Sequence, residues 1–467
     1  MATNEAIEAP PEPLNYRKTV LAAVAGNFVE WYEFIVFGTV AAYVSLAYFP
    51  ADDPAAALIR TWAVYGSAFL VRPFGGLLLA WLGDLYGRRT VLAASIMLMS
   101  LATFGLGALP GYATIGLAAP VLVLIFRMVQ GAAAGGELPT AVAFLYEHSP
   151  EHSRTHAIKL LQSTTFGANV AGSGLAALLT LTMSEASFAQ WGWRIVFLIA
   201  LPLGLVGYFI RRRVEETPEF KRMQASVDGK SRPLRGAIQN NWRVILTYIG
   251  FGSLYTTTAF ITAGVYLGVM LASGIRPTVA LMINTLTAAL VVVSILVFGT
   301  LSERFGRKVV LIAGAATLAV LIIPAFVLAG TGSVAGAVLG GVLIAVPFGV
   351  YATPAVMCLS SFYPTSVRVT AGALGYNVCT LVGGFAPLIA VWLNARTGSG
   401  LAFPAYVAAL ALLAAAVLAL AFPERRHQRG APVVEAEEAP AEDDGSLSSR
   451  RVVMNRDRAR RPGSDST

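Results

Sequence analysis

The feature that most constrains this chain is its rhythm of apolar runs, about twelve stretches of roughly 20 residues separated by short charged connections. A run of that length crosses a hydrocarbon core of about 30 Å as a helix. The runs fall at roughly 20–47, 58–82, 90–109, 117–146, 157–182 and 194–211, and again at roughly 243–272, 278–300, 308–329, 334–361, 367–394 and 401–422. Composition agrees. Only 13% of residues are charged and 56% are hydrophobic, whereas soluble proteins carry about 25% charge, too few here to cover a water-facing surface. The reading is an all-α membrane protein with twelve transmembrane helices, and no cleavable signal peptide precedes them.

The net charge of +8 belongs to topology and does not point to nucleic acid. Basic residues gather in every second connection, at Arg88 and Arg89, Arg154 and Lys159, 211–243, Arg304 with Arg307 and Lys308, and Arg368. The positive-inside rule then places both termini in the cytoplasm. The expected organisation is a cytoplasmic N-terminal segment 1–18, a six-helix half 19–211, a cytoplasmic linker 212–242, a second six-helix half 243–423 and a disordered cytoplasmic tail 424–467. Cys358 and Cys379 lie in apolar stretches and read as reduced core residues.

The two halves echo each other. LGDLYGRRTVL (82–92) and LSERFGRKVVL (301–311) occupy corresponding connections, so Asp84, Gly87, Arg88 and Arg89 match Glu303, Gly306, Arg307 and Lys308. Pro150 with Arg154 likewise matches Pro364 with Arg368. Repeats of the same orientation imply two halves related by an axis along the membrane normal, with substrate held between them near the midplane. The glycines suit a tight turn that Cβ would hinder. The acids and bases, with Glu147, Arg154 and Arg368, read as gate groups whose ion pairs lock one arrangement.

These residues make the chain resemble the major facilitator superfamily over 18–423, although the first loop copy departs from the family signature at Ala80 and Leu85 and the second at Glu303. GNFVEWYEFIVFG (26–38), LVRPFGGLL (70–78), RMVQGAAAGGE (127–137), WGWRIVF (191–197) and EETPEF (215–220) are similar to its metabolite:proton symporter subfamily. That subfamily includes transporters of proline and betaine, 2-oxoglutarate, citrate and shikimate. Glu33 stands where it usually has Asp, which keeps the acid and changes its reach. The resemblance implies the major facilitator fold in a bacterial cytoplasmic membrane. It also implies a monomer that works by alternating access on a small molecule and protons, with the proton gradient as driving force and no cofactor.

Ionisable groups inside the bilayer cost about 2.5–3.5 kcal/mol each on insertion scales and call for a function or a partner. They cluster in the first half: Glu30, Glu33, Arg72, Arg127 and Glu137. Glu30 and Glu33 lie near one face of a helix, with Asn27 one turn earlier. Two carboxylates in a dry cavity let one carry a proton, and Arg127 is a partner for one of them or for an anionic substrate. Proton coupling is therefore expected at Glu30, Glu33, Arg127 and Glu137, and substrate binding at Asn27, Arg127, Tyr255, Tyr376 and Asn377. A structural ion pair of these acids with Arg127 and Arg72 is the plainer alternative. Arg72, beside Pro73, reads more as the tether of a broken helix, and the second-half polar groups more as helix-to-helix bonds.

Other classes find less support. His148, His152 and His156 have the spacing of metal ligands, but Pro150 interrupts the helix that would align them. No phosphate-cradling loop, catalytic constellation or output domain is present in the sequence, which argues against an ATP-driven pump, an enzyme or a receptor. The expected function is proton-coupled import of a small organic acid or zwitterionic osmolyte. Drug/proton antiport and uncoupled facilitation are the alternatives.

Overall fold

The computed structural model describes residues 16–86, 88–212, 234–363 and 367–423. Its regular structure there is helical throughout. Helix α1 (Tyr16–Thr39) bends by 65° into α2 (Ala41–Tyr48). Then come α3 (Pro54–Tyr86), α4 (Arg88–Ala108), short α5 (Tyr112–Ile115), α6 (Ala118–Ala133), α7 (Glu137–His148), α8 (Arg154–Thr182), α9 (Glu185–Gln190), α10 (Ile195–Leu198) and α11 (Ala200–Arg212). After the linker, α12 (Leu234–Phe260) passes through a π turn (Ile261–Val265) into α13 (Tyr266–Ala272). The chain continues with α14 (Pro277–Phe298), α15 (Leu301–Phe305), α16 (Arg307–Gly330), α17 (Val334–Ser361), α18 (Arg368–Gly384), α19 (Ala386–Thr397) and α20 (Ala402–Ala421). Among the described residues, 11 helical segments are long and apolar enough to cross a membrane, and the bent α1–α2 pair makes up to 12. Each apolar run of the sequence finds its helix.

The bundle is apolar outside as well as in most of its core, and the buried polar and ionisable residues are islands within that core. Along α3, Leu70, Phe74, Leu77, Leu78 and Trp81 form one exposed stripe at helical spacing, while Tyr65, Phe69 and Arg72 on the other face are buried. Lipid replaces water as the solvent for that stripe.

Helix α3 runs unbroken through Pro73, so Arg72 does not tether a break in its own helix. The interruption falls in the fourth span, where α6 stops at Ala133 and α7 begins at Glu137. The sequence Ala134-Gly135-Gly136 between them frees backbone groups that a continuous helix would pair. Bare backbone lets α3 and α6–α7 touch: a Cβ at Gly131 would overlap the Ala68 carbonyl, and one at Gly135 the backbone of Arg72 and Gly76.

Other features qualify the boundaries read from sequence. Helix α12 begins at Leu234, ahead of the apolar stretch, so part of the 212–242 linker is helical. Gly306, between α15 and α16, has φ +83° and ψ 144°, a region that essentially only glycine enters. Its counterpart Gly87 lies outside the described residues, as do the side chains of Asp84, Arg88 and Arg89, residues 1–15 and the tail from 424.

The α3–α6 contact predicts a contrast between two glycines. Gly131→Val drives a branched side chain into a backbone carbonyl, and overpacking of this kind costs about 1–3 kcal/mol. Gly167→Ala, in α8 with open space around the added Cβ, should be neutral or mildly stabilising. Thermal midpoints in detergent, followed by fluorescence-detected size exclusion, separate the two.

Candidate functional site

The break in the fourth span is the hub of the buried centre. Its freed carbonyls are taken up from two sides: Arg72 Nε on α3 donates to Ala134 O at 3.1 Å, and Asn377 Nδ2 on α18 donates to Gly135 O at 3.1 Å. The helix that Arg72 tethers is thus its neighbour. The same guanidinium bonds Glu30 Oε1 on α1 at 2.7 Å and lies over the rings of Phe34 and Tyr376. Both members of the Glu30–Arg72 pair are about 1% exposed. Removing one member of such a pair strands a charge and costs about 3–5 kcal/mol.

Arg127 is not the partner of Glu30. Its NH1 donates to Gln130 Oε1, one helical turn along α6, at 2.8 Å, and its NH2 reaches Tyr65 O at 3.4 Å. The guanidinium sits 4.3 Å from the Tyr65 ring centroid, 4.8 Å from Phe37 and 5.2 Å from Phe34. It is fully buried, and its Nε has no hydrogen-bond partner among the described residues. Aromatic faces stabilise a desolvated cation by about 2 kcal/mol or more, so three of them hold Arg127 charged while leaving a donor unused.

Glu33 is fully buried, and two side chains of α4 hold it. Thr103 Oγ1 donates to Oε2 at 2.8 Å and Ser100 Oγ donates to Oε1. Gln130 Nε2 donates in turn to Thr103 Oγ1 at 2.6 Å. Glu137, the first residue of α7, is buried at the break, where the helix N-terminus favours its charge. The structure therefore holds Glu30 through Arg72 and joins Glu33 to Arg127 through Thr103 and Gln130, with Glu30 and Glu137 as electrostatic neighbours of Glu33. Arg127 makes no direct contact with an acid among the described residues.

The expected substrate residues separate. Asn27 Nδ2 points to α8, donating to Leu161 O, Thr164 Oγ1 and Thr165 Oγ1 at 2.8–3.0 Å, so it ties helices together. Tyr255 OH accepts from Gln162 Nε2 at 2.6 Å across the α8–α12 interface. Tyr376 OH and Asn377 Oδ1 are buried without a partner among the described residues, as are Thr257 Oγ1, Tyr65 OH and the indole N–H of Trp31. A polar group in that position is completed by water or by ligand. Trp31, Tyr65, Ser100, Thr103 and Gln130 were not singled out from sequence. The spacing of Gln130 from Arg127 was the available signal, since both must share a face of α6.

At one end of the bundle Glu147 and Arg368 form an ion pair at 2.5 Å, linking α7 to α18. Arg368 and Arg154 both stack on the Tyr146 ring, at 5.4 and 4.5 Å. Three expected gate residues thus meet. Glu303 is exposed, and Arg307 and Lys308 are half-buried beside Gly306. At the other end a cleft of about 390 Å³ opens between α1–α3 and α13, α14 and α19, lined mostly by apolar groups including Gly38, Leu58, Trp62, Gly264 and Leu281. Trp62, Tyr65, Phe69 and Phe260 stack edge to face at 5.1–6.1 Å, a layer of rings between that cleft and Arg127. Arg194 serves as an anchor at this end, donating to Tyr48 OH and Gly107 O at 2.9 Å each. Among the described residues no three His, Cys, Asp or Glu side chains group as metal ligands. The His148 side chain is outside them.

A membrane bundle with a buried, charged centre, a cleft at one end and an ion pair at the other is the form of a solute transporter. The Major Facilitator Superfamily profile matches residues 24–387, and the chain belongs to that superfamily. It is a multi-pass membrane transporter of small molecules, not an enzyme. It is 36% identical over 408 residues to the proline/betaine transporter of Escherichia coli strain K12, covering 84% of this chain and 80% of that one. It is 33% identical over 407 residues to the glycine betaine/proline/ectoine/pipecolic acid transporter OusA of Dickeya dadantii, covering 84% and 80%. Among solved structures, a D-xylose-proton symporter superposes with TM-score 0.71 at 17% identity, covering 87% of this chain and 98% of that one. The partially occluded inward-open xylose transporter XylE from E. coli gives 0.71 at 15% identity, covering 87% and 98%. At those identities the structural likeness is one of fold.

The Glu147–Arg368 pair predicts a rescue. Glu147→Arg alone sets two cations against each other and should cut cellular uptake at least tenfold, since like charges at an interface cost several kcal/mol. Combining it with Arg368→Glu should return a substantial share of the lost rate.

Proposed function

We propose that the protein imports a small zwitterion of the proline or betaine type together with a proton, by alternating access, across a bacterial cytoplasmic membrane. In this reading the Glu147–Arg368 end faces the cytoplasm with both termini, and the cleft faces outward. The observation that carries it is Arg127: a buried guanidinium held by aromatic faces, with no acid partner and an unused donor among the described residues. A carboxylate is the group a planar guanidinium binds best. The surrounding rings, with Trp31 and Phe260 adjoining at 6.2 Å, attract the cationic end of the same molecule.

Charge balance supports a zwitterion over an organic acid. The centre holds three buried carboxylates, Glu30, Glu33 and Glu137, and two buried guanidiniums, Arg72 and Arg127. One proton neutralises the remaining negative charge, and a ligand of zero net charge leaves that balance intact. A dicarboxylate would add charge in a low-dielectric interior, which is costly. The named relatives, transporters of proline, betaine, ectoine and pipecolic acid, support the same substrate class. Glu33 is the proton carrier that fits best, because its pairing is to hydroxyls alone among the bonds described, while Glu30 is neutralised by Arg72.

The test is uptake of radiolabelled glycine betaine and proline into proteoliposomes, with and without an inward proton gradient. Accumulation above the external concentration only with the gradient is the expected result. Equilibration that ignores the gradient would make the protein a facilitator. Arg127→Gln should weaken glycine betaine binding about ten- to a hundredfold, the worth of a charge-assisted bond of about 1.5–3 kcal/mol. Choline, which has the cation without the carboxylate, should compete poorly with wild type.

A further inference from the structure

The geometry assigns Gln130 and Thr103 as positioning residues that transmit the protonation state of Glu33 to Arg127, so that proton binding releases the guanidinium for the ligand carboxylate. This rests on the reading of Glu33 as proton carrier and Arg127 as carboxylate receptor, and it names what connects them. The chain of bonds is continuous and fully buried: Glu33 Oε2, Thr103 Oγ1, Gln130 Nε2, Gln130 Oε1 and Arg127 NH1, at 2.8, 2.6 and 2.8 Å across its three contacts. It crosses three helices, α1, α4 and α6.

Donor and acceptor chemistry fixes its direction. Arginine can only donate, so Gln130 must present its carbonyl oxygen to Arg127 and its amide N–H to Thr103. Thr103 must accept there, which leaves its single proton for one of two acceptors, Glu33 Oε2 at 2.8 Å or its own helix carbonyl, Met99 O, at 2.9 Å. With Glu33 ionised the carboxylate wins, because charge-assisted bonds are about twice as strong as neutral ones. A hydroxyl donating to an anion is a better acceptor for the next group in line. Gln130 is then held firmly, and Gln130 holds Arg127.

Protonation reverses this. The incoming proton adds to Glu33 Oε2, which becomes a donor to Thr103, and the Thr103 proton turns to Met99 O. No covalent bond to threonine breaks. Thr103 now accepts from a neutral acid, its hold on Gln130 weakens, and Arg127 is freed to exchange Gln130 for a ligand carboxylate. Proton and ligand therefore bind cooperatively, the sign that symport requires, and by linkage each raises affinity for the other equally.

The titratable groups that act on Glu33 are Glu30 and Tyr32 on its own helix and Glu137 on α7, while α4 supplies the hydroxyls of Ser100 and Thr103. Arg72 on α3 is engaged by Glu30, and Arg127 on α6 is joined to Glu33 through Thr103 and Gln130. The through-space influence of the neighbouring carboxylates persists when the relay is cut, so cutting it separates the bonded route from the field.

The experiment measures binding of radiolabelled glycine betaine to purified full-length protein at pH 6 and pH 8, alongside proton-driven uptake in proteoliposomes. Wild type should bind about tenfold tighter at pH 6, within the usual range of coupling between sites. Gln130→Leu and Thr103→Val should lose most of that difference, to within about twofold, and Thr103→Ser, which keeps the hydroxyl, should retain it. Size-exclusion profiles check that each variant is folded. If Gln130→Leu does not fold, the Thr103→Val and Thr103→Ser pair decides alone. Full pH dependence in folded Thr103→Val overturns the relay while leaving proton symport standing. A wild type whose binding and uptake both ignore protons overturns the symport reading and the relay with it.

Discussion

Two carbonyl groups organise the centre of this protein. Where the fourth span breaks at Ala134-Gly135-Gly136, Ala134 O and Gly135 O lose their helical partners in a place without bulk water. Each unsatisfied group there costs several kcal/mol. Arg72 and Asn377 meet that need from different helices. Once Arg72 is committed to the break, its second edge fixes Glu30 and with it α1. The close backbone contact of α3 with the fourth span at Gly131 and Gly135 sets Arg72 beside that break.

That arrangement divides the buried charges into two kinds. Glu30 and Arg72 neutralise each other and are held by further bonds, as a structural pair must be in a low-dielectric interior. Arg127 is stabilised by ring faces and amide dipoles, which solvate a cation without cancelling it. A charge that is solvated but not neutralised keeps a strong attraction for an incoming anion, and the aromatic layer below the cleft limits water that would compete for it.

Much of this was legible in the sequence. Length and hydropathy locate the helices, because a membrane imposes one thickness on every span, and the acid–Gly–base repeat points to the turn at Gly306. The ionisable residues of the first half point to the candidate site, since their cost demands a use or a partner. What could not be read was pairing. Hydropathy places Glu30, Arg72 and Arg127 by depth, but it says nothing of which helices are neighbours. Arg127 therefore seemed the natural partner of the α1 acids when Arg72 was closer. The hydroxyls of Ser100 and Thr103 escaped notice because single Ser and Thr residues in spans usually bond back to their own helix, as Thr103 also does to Met99 O. Only the packed structure shows the second acceptor.

The π turn at Ile261–Val265 has a different kind of consequence. A π turn carries an extra residue relative to an α turn, and one residue of α-helix is about 100° of rotation. The segment beyond it, α13, is therefore phased differently from α12. Gly264 comes to face Gly38 and Trp62, and Leu267, Gly268 and Leu271 line the cleft. A deletion within the π turn is absorbed by its return to an α turn, whereas a deletion at the start of α13 would shorten that helix by only about 1.5 Å yet wind the rest of the cleft wall by about 100° around its axis. The shape of that wall is written in helical phase, a property that residue-by-residue substitution barely touches and that insertion or deletion rewrites at once.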